Sequence, residues 1–332
     1  MVRLARDIGR RDFIRVMSAG VALVPALGAN GLAQVLGPRR SPVALVATGD
    51  RKRGVTAALK LLDLGAVRGK QVVIKPNFNS ADEAPGSTHN DTLTQLVTEL
   101  HALDARSVTL GESSGPPRTR SVMEQKGTFD LARDFRFDVV DYEQVADQDW
   151  VTFPAAGTHW STGFALPRLV VNAGYNVSTC CLKTHAYGGV FTMSLKLSVG
   201  LTPKALRREM HASPDMRRMI AELNTGYAPD LIVLDGVAAF VDGGPSRGTL
   251  KAGNVMIAGH DRVAVDAVGI AMLKSLGSNQ AIMGRKIFEQ EQIARAVELR
   301  LGVARAEAID IVTGDAASAA VADSLRAILA QG

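Results

Sequence analysis

The sequence predicts an α/β protein: a largely parallel or mixed sheet covered by helices, in two intimately packed lobes. Three observations carry this prediction. Short apolar runs alternate with segments of helical periodicity along most of the chain, polar residues crowd the ends of those runs, and neither an internal repeat nor a linker rich in Pro, Gly and Ser separates the parts. The chain has 332 residues, of which 46% are apolar, enough for a substantial core.

The order of elements begins with a segment that is not part of the fold. Arg10 and Arg11, then Asp12, Phe13 and Ile14, precede an apolar run from Val16 to Leu27, the form of a twin-arginine export signal. The run falls short of the about 20 residues that span a bilayer, and Pro25, Gly28, Asn30 and Gly31 oppose a long first helix. Gly31, Leu32 and Ala33 before Gln34 suit a signal peptidase. The expected layout is a signal peptide over 1–33, a connector over 34–41 and one α/β domain over 42–332, with lobes at 42–148 and 149–332. The expected location is the periplasm or otherwise outside the inner membrane, reached folded through the twin-arginine machinery, with no permanent membrane span after cleavage.

Val43 to Val46 reads as the first strand and Val55 to Leu64 as a helix closed by Gly65. Gln71 to Lys75 is a strand stopped by Pro76, which delivers Lys75 and Asn77 to its C-terminal end. A helix over 91–103, strands at 107–110 and 137–140, and an irregular or hairpin-like stretch over 150–164 follow. From Tyr175 a strand runs into Lys183, then helical stretches pass through Lys196 and Met216 to Leu223. Strands at 230–235, 255–258 and 309–312 and helices over 263–276 and 317–329 complete the alternation.

Composition excludes several functions. Most of the formal charge of +5 lies in the first 33 residues, where Arg3, Arg6, Arg10, Arg11 and Arg15 outweigh Asp7 and Asp12. The remainder is nearly neutral, so a nucleic-acid partner loses its electrostatic support. The two cysteines, Cys180 and Cys181, are adjacent; four thiolates for an iron–sulfur cluster are lacking, and the pair reads as buried thiols on a strand, with a strained vicinal disulfide as the alternative.

Open α/β sheets hold ligands beyond the C-terminal ends of their strands, and three polar groups lie there. The first is Lys75 and Asn77, with a polar loop to His89. The second is Lys183, Thr184 and His185, then glycines 188 and 189, then Thr192 and Lys196 four residues apart on one helix face. Ammonium groups, an imidazole and unpaired helix N–H groups suit a carboxylate or phosphate, with His185 available as acid, base or metal ligand. The third is Asp235, then Gly243, Gly244 and Gly248, then Asp261 as a helix cap and Asp266. The glycines match neither a dinucleotide fingerprint nor a phosphate loop, and make either a tight connection or a backbone surface that a ligand approaches. Residues 111–115 fit the Gly-x-Ser-x-Gly pattern around Ser113, but Pro116 and Pro117 follow where the nucleophile elbow requires a helix, even though Asp235 and His260 supply the chain order of a triad.

Taken in order, residues 72–77, Gly111 with Glu112, 182–185, Thr192 with Lys196, His211, Asp235 with Gly236, the run 243–248, and Asp261 with Asp266 resemble the domain of unknown function 362 family. The resemblance covers about 70–275. Members often carry an export signal or a ferredoxin-like cysteine module; this chain resembles those with the first and without the second. Leu197 stands where the family usually has Asn. More distantly, the fold is similar to the nickel-pincer lactate racemase class, whose sites use His and Lys around a hydroxy-acid carboxylate.

The resulting expectation is an exported enzyme acting on a small anionic substrate, with a divalent metal or an organic cofactor left open. Lys75, Asn77, Thr184, Thr192, Lys196, Gly243, Gly244 and Gly248 would bind substrate; His185, His211, Lys183 and Glu112 would do the chemistry, the two histidines also as metal ligands; Asp235 and Asp266 would orient them. Lys183, taken as a solvated residue on a pocket wall, is expected to matter for binding and little for folding. The alternatives are a periplasmic protein that captures an anion or metal without turnover, an iron–sulfur-associated redox protein, and a serine hydrolase at Ser113.

Overall fold

The computed structural model describes residues 40–65 and 67–331. The expected signal peptide, and the expected connector up to residue 39, lie outside the described residues. Among the described residues, no helix is long and apolar enough to cross a membrane.

The chain is α/β. Strand β1 (Ser41–Ala47) leads into helix α1 (Arg51–Lys60), whose first turn is capped by the Asp50 carboxylate accepting from the Arg53 N–H. Strand β2 (Gln71–Lys75), helix α2 (Asn90–Ala102) and strand β3 (Ser107–Glu112) follow, then the short helices α3 (Thr119–Gln125) and α4 (Thr128–Phe135) and strand β4 (Asp138–Asp141). The stretch expected to be irregular or hairpin-like is a hairpin of β5 (Trp150–Phe153) and β6 (Phe164–Pro167), apart from the main sheet. After the one-turn helix α5 (Arg168–Val171) come β7 (Tyr175–His185), β8 (Val190–Thr192), α6 (Ser194–Leu197), α7 (Lys204–Ala212) and α8 (Met216–Leu223). The last third holds β9 (Leu231–Gly243), β10 (Gly248–Gly259), α9 (Arg262–Ser275), α10 (Gln280–Met283), α11 (Glu291–Glu298), β11 (Ile309–Val312) and α12 (Ala316–Leu329).

Among the described residues the main sheet has nine strands in the order β11-β1-β10-β9-β7-β2-β3-β4, with β8 paired to β7. The β7-β2-β3-β4 side and the β7-β9 and β1-β11 pairs are parallel, whereas β10 runs antiparallel to both β1 and β9. One sheet therefore passes through both expected lobes, with β7 lying between β2 and β9. Apolar clusters cover both faces. One gathers Leu182, Leu234, Ile257 and the apolar residues of α9; the other gathers Ile74, Leu93, Leu96 and Leu110. Each such side chain, fully buried, contributes roughly 1.5–3 kcal/mol. A third cluster, with Trp160, Phe164 and Met219, seals the β5-β6 hairpin against α8.

Two features of this frame position the site. The last residue of β2 in register with β7 is Lys75, opposite Ser178, and β7 runs on from there to His185. That overhang leaves a step above the ends of β2 and β3. Second, β9 and β10 form a long arm rather than the short strands expected, joined by a turn at Gly243 and Gly244 with φ of 81° and 71°. A Cβ at Gly244 would lie 2.1 Å from the carbonyl oxygen of Thr184, so the turn sits directly on β7. Residues 248–254 escaped the sequence reading because they are mostly exposed and lack an apolar alternation.

Candidate functional site

A cavity of about 650 Å³ fills the step beyond the ends of β2, β3 and β7, closed on the far side by α7 and the turn at Pro245. Its position follows the rule for open α/β sheets, and its volume is that of a small-molecule site. Among the described residues, six cationic side chains and one carboxylate, that of Glu112, line it.

Lys183 and His185 alternate along β7 and so share a face, while Cys180 and Leu182 turn the opposite way into the core. Lys183 is fully buried, and its ammonium donates to the carbonyl oxygens of Gly86 at 2.6 Å and Pro245 at 2.9 Å. The expectation of a solvated lysine fails here: the overhanging strand carries it inward, where it ties two loops to the sheet. Burial lowers its pKa to about 8. Lys75, also buried, pairs with Glu112 at 2.5 Å and donates to the carbonyl of Pro76. Burial lowers the Lys75 pKa against the opposing pull of Glu112.

Lys196 differs from both. It is 8% exposed, lines the cavity, and among the described residues its ammonium has no hydrogen-bond or ion-pair partner. Burial first, then the charges of Lys183 and Arg207, lower its pKa to about 7. Two further cavity-lining groups are buried without a partner, the Thr192 hydroxyl and the Asn77 amide nitrogen. Buried polar atoms are rarely left unpaired in native structures, and two of them in the lining that also holds the free Lys196 ammonium mark a place for a ligand.

The remaining groups are engaged in ways that narrow their chemistry. Glu112 accepts from Lys75 and from the backbone N–H groups of Phe78 and Ser113, so it organises the strand ends instead of standing free as an acid or base. The Gly189 N–H donates to Nδ1 of His185 at 3.2 Å, and burial followed by the charge of Lys196 lowers the His185 pKa to about 2. The imidazole is therefore neutral with its proton on Nε2, a hydrogen-bond donor. Burial, Lys196 and Arg207 also lower the pKa of His211, which lies on α7 at the cavity edge. Surrounded by these cations, His185 and His211 are poor ligands for a bare metal ion. Among the described residues no group of three or more His, Cys, Asp and Glu side chains is arranged to hold one.

A family model described as domain of unknown function (DUF362) matches residues 72–271. The chain belongs to this family. All the cavity-lining residues fall within the DUF362 match. The thylakoid-associated protein sll1697 of Synechocystis sp. is 25% identical over 214 residues, 60% of this chain and 62% of that protein. The chain thus spans less than two thirds of that relative's length. The lactate racemase apoprotein from Thermoanaerobacterium thermosaccharolyticum aligns with a TM-score of 0.47 at 16% identity, over 72% of this chain and 59% of that one.

Not every residue singled out in the DUF362 segment reaches the cavity. Thr184 hydrogen-bonds to the carbonyls of Phe240 and Gly243, and Gly243, Gly244 and Gly248 build the β9-β10 turn, whose Pro245 is the residue that lines the site. Asp235 pairs with Arg51 at 2.8 Å and accepts from the Thr92 hydroxyl, away from the cavity. Asp266 accepts from the backbone N–H groups of Ser194 and Leu195, so it acts on the start of α6, the helix that bears Lys196. Ser113 lines the cavity, but its hydroxyl accepts from Arg207 at 2.6 Å and α3 begins only at Thr119. His260 hydrogen-bonds to the carbonyl of Asp230 and Asp235 is held by Arg51, so neither is placed to serve Ser113. Cys180 and Cys181 are free and fully buried.

The sequence reading missed Arg207. Its guanidinium donates to the carbonyls of Thr202 and Ser114 and to the Ser113 hydroxyl, pinning the end of β3 to α7. A signal existed: Lys204, Arg207, Arg208 and His211 have the spacing of one helix face.

Proposed function

We propose that the chain is an enzyme that binds a small carboxylate or phosphate in this cavity and moves a proton on it. What supports the reading is that, among the described residues, the Lys196 ammonium, the Thr192 hydroxyl and the Asn77 amide nitrogen are without partners in the lining of one cavity, whose one carboxylate is already committed. An anion there would satisfy all three groups at once. With a pKa of about 7, Lys196 exchanges its proton near neutrality, where a general acid or base is most effective. His185 would donate from Nε2 to a substrate oxygen, and Lys75 and Lys183, held by their own partners, would supply fixed positive charge. We also propose that the protein works outside the inner membrane after twin-arginine export, a reading that rests on Arg10, Arg11 and the apolar run behind them.

The test is incubation in D2O with a panel of small carboxylates and phosphate esters, with substrate deuteration read by NMR and mass spectrometry. Deuterium incorporation that is lost in Lys196→Met is the expected result. Binding without any change of the bound molecule would mean capture instead of turnover, and binding of no anion would overturn the reading. For export, Lys at both Arg10 and Arg11 should leave the precursor in the cytoplasm.

A further inference from the structure

Resting on the anion-cavity reading, we propose that the substrate carries two anionic groups, one held at the deep end by Lys196, Thr192 and Asn77, the other at the mouth by Arg208 and His211 of α7. The argument lies in which groups are already engaged. Lys204, Arg207, Arg208 and His211 follow one another at positions i, i+3, i+4 and i+7 of α7, and all four line the cavity. The first two are committed. Lys204 pairs with Glu143 at 2.7 Å and donates to the Pro117 carbonyl, and Arg207 is spent on Ser113, Ser114 and Thr202. Arg208 and His211, both exposed, remain to receive a ligand.

On the inner wall the unpartnered residues are nine-tenths or more buried: Asn77 at 4%, Thr192 at 7% and Lys196 at 8% exposure. The Lys75–Glu112 pair and the guanidinium of Arg207 also line the cavity and have their own partners. Among the described residues, donors without partners thus lie both on the buried wall and on the exposed rim of one cavity. A volume of about 650 Å³ is also far more than one carboxylate occupies. A molecule with an acidic group at each end, a dicarboxylate or a phosphorylated carboxylate, matches that distribution.

The experiment is calorimetric titration of the purified chain with malonate, succinate, glutarate and adipate, each against the monocarboxylate of the same carbon number. At one chain length the dicarboxylate should bind at least about tenfold more tightly, the size of one charged hydrogen bond. Arg208→Gln, a change at an exposed position, should erase that advantage and leave monocarboxylate affinity within about twofold. Equal binding of both series would overturn the two-group inference and leave the anion site standing. An advantage that survives in Arg208→Gln, or a variant that weakens both series alike, would also overturn it. Failure of both series to bind would remove the underlying reading as well.

Discussion

The carboxylate of Asp266 in the buried helix α9 accepts the backbone N–H of Ser194 at 2.7 Å, and its second oxygen takes that of Leu195 at 2.9 Å. The first turn of α6 is therefore fastened to the core two residues before Lys196. Asp266→Ala should leave both N–H groups buried and unpaired, lowering stability by roughly 2–4 kcal/mol in urea denaturation. Anion affinity should fall with it, because Lys196 loses its fixed placement. Unchanged affinity in a folded variant would show that α6 holds its position without this cap.

The buried ammonium of Lys196 makes stability depend on pH in a defined direction. In the unfolded chain this lysine titrates near 10.5, and in the folded chain at about 7. Across that window the unfolded chain binds a proton that the folded one lacks, so stability rises as pH rises from about 7 to 10.5. Lys196→Met should remove this rise from the denaturation profile. Anion binding runs the other way. Affinity should hold below about pH 7 and decline above it as the ammonium is lost, with proton uptake near pH 8 visible as a buffer-dependent binding enthalpy.

Lys183→Ala should destabilise the fold as well as weaken anion binding. The Gly86 and Pro245 carbonyls that its ammonium satisfies would be left without it, a loss of roughly 2–4 kcal/mol. Urea denaturation and calorimetry on the same variant separate the two effects. A variant as stable as the parent would show that these carbonyls find water.

Breaking the Lys75–Glu112 pair from one side should cost more than removing it whole. Glu112→Gln leaves a buried ammonium without its counter-charge, a loss of about 3–5 kcal/mol, and adding Lys75→Met should recover at least half of it. A purely additive double-mutant cycle would mean that the two groups do not interact energetically.

Much of the frame was legible in the sequence because its elements are bounded by local chemistry. Pro76 stops β2 after Lys75, and Asp261, accepting from the N–H groups of Val263 and Ala264, starts α9. The convergence of Lys75 and Lys183 was also readable, since strand ends of an α/β sheet meet on one side; Lys196 joins them from α6, whereas Thr192, expected on the same helix face, ends strand β8 because the chain first folds back onto β7. What was not readable depends on partners distant in the chain. That Lys183 is buried follows from Gly86 and Pro245, 97 and 62 residues away. Arg207 takes its meaning from Ser113 and Ser114, more than 90 residues earlier. That the His185 imidazole is a donor is decided by Gly189, close in sequence but oriented only once β8 has folded back onto β7.

The overhang of β7 divides the cavity into a half that cannot drift and a half that can. Lys183 and His185 project from a strand with every residue buried, whose other face is packed into the core; an altered side chain there must be absorbed by the whole domain. Arg208 and His211 stand on the rim of a surface helix, where replacement costs the fold little. Relatives that keep the same inner wall can therefore diverge in what they accept by rewriting α7 alone, and an engineer who wants a different specificity should begin at the rim.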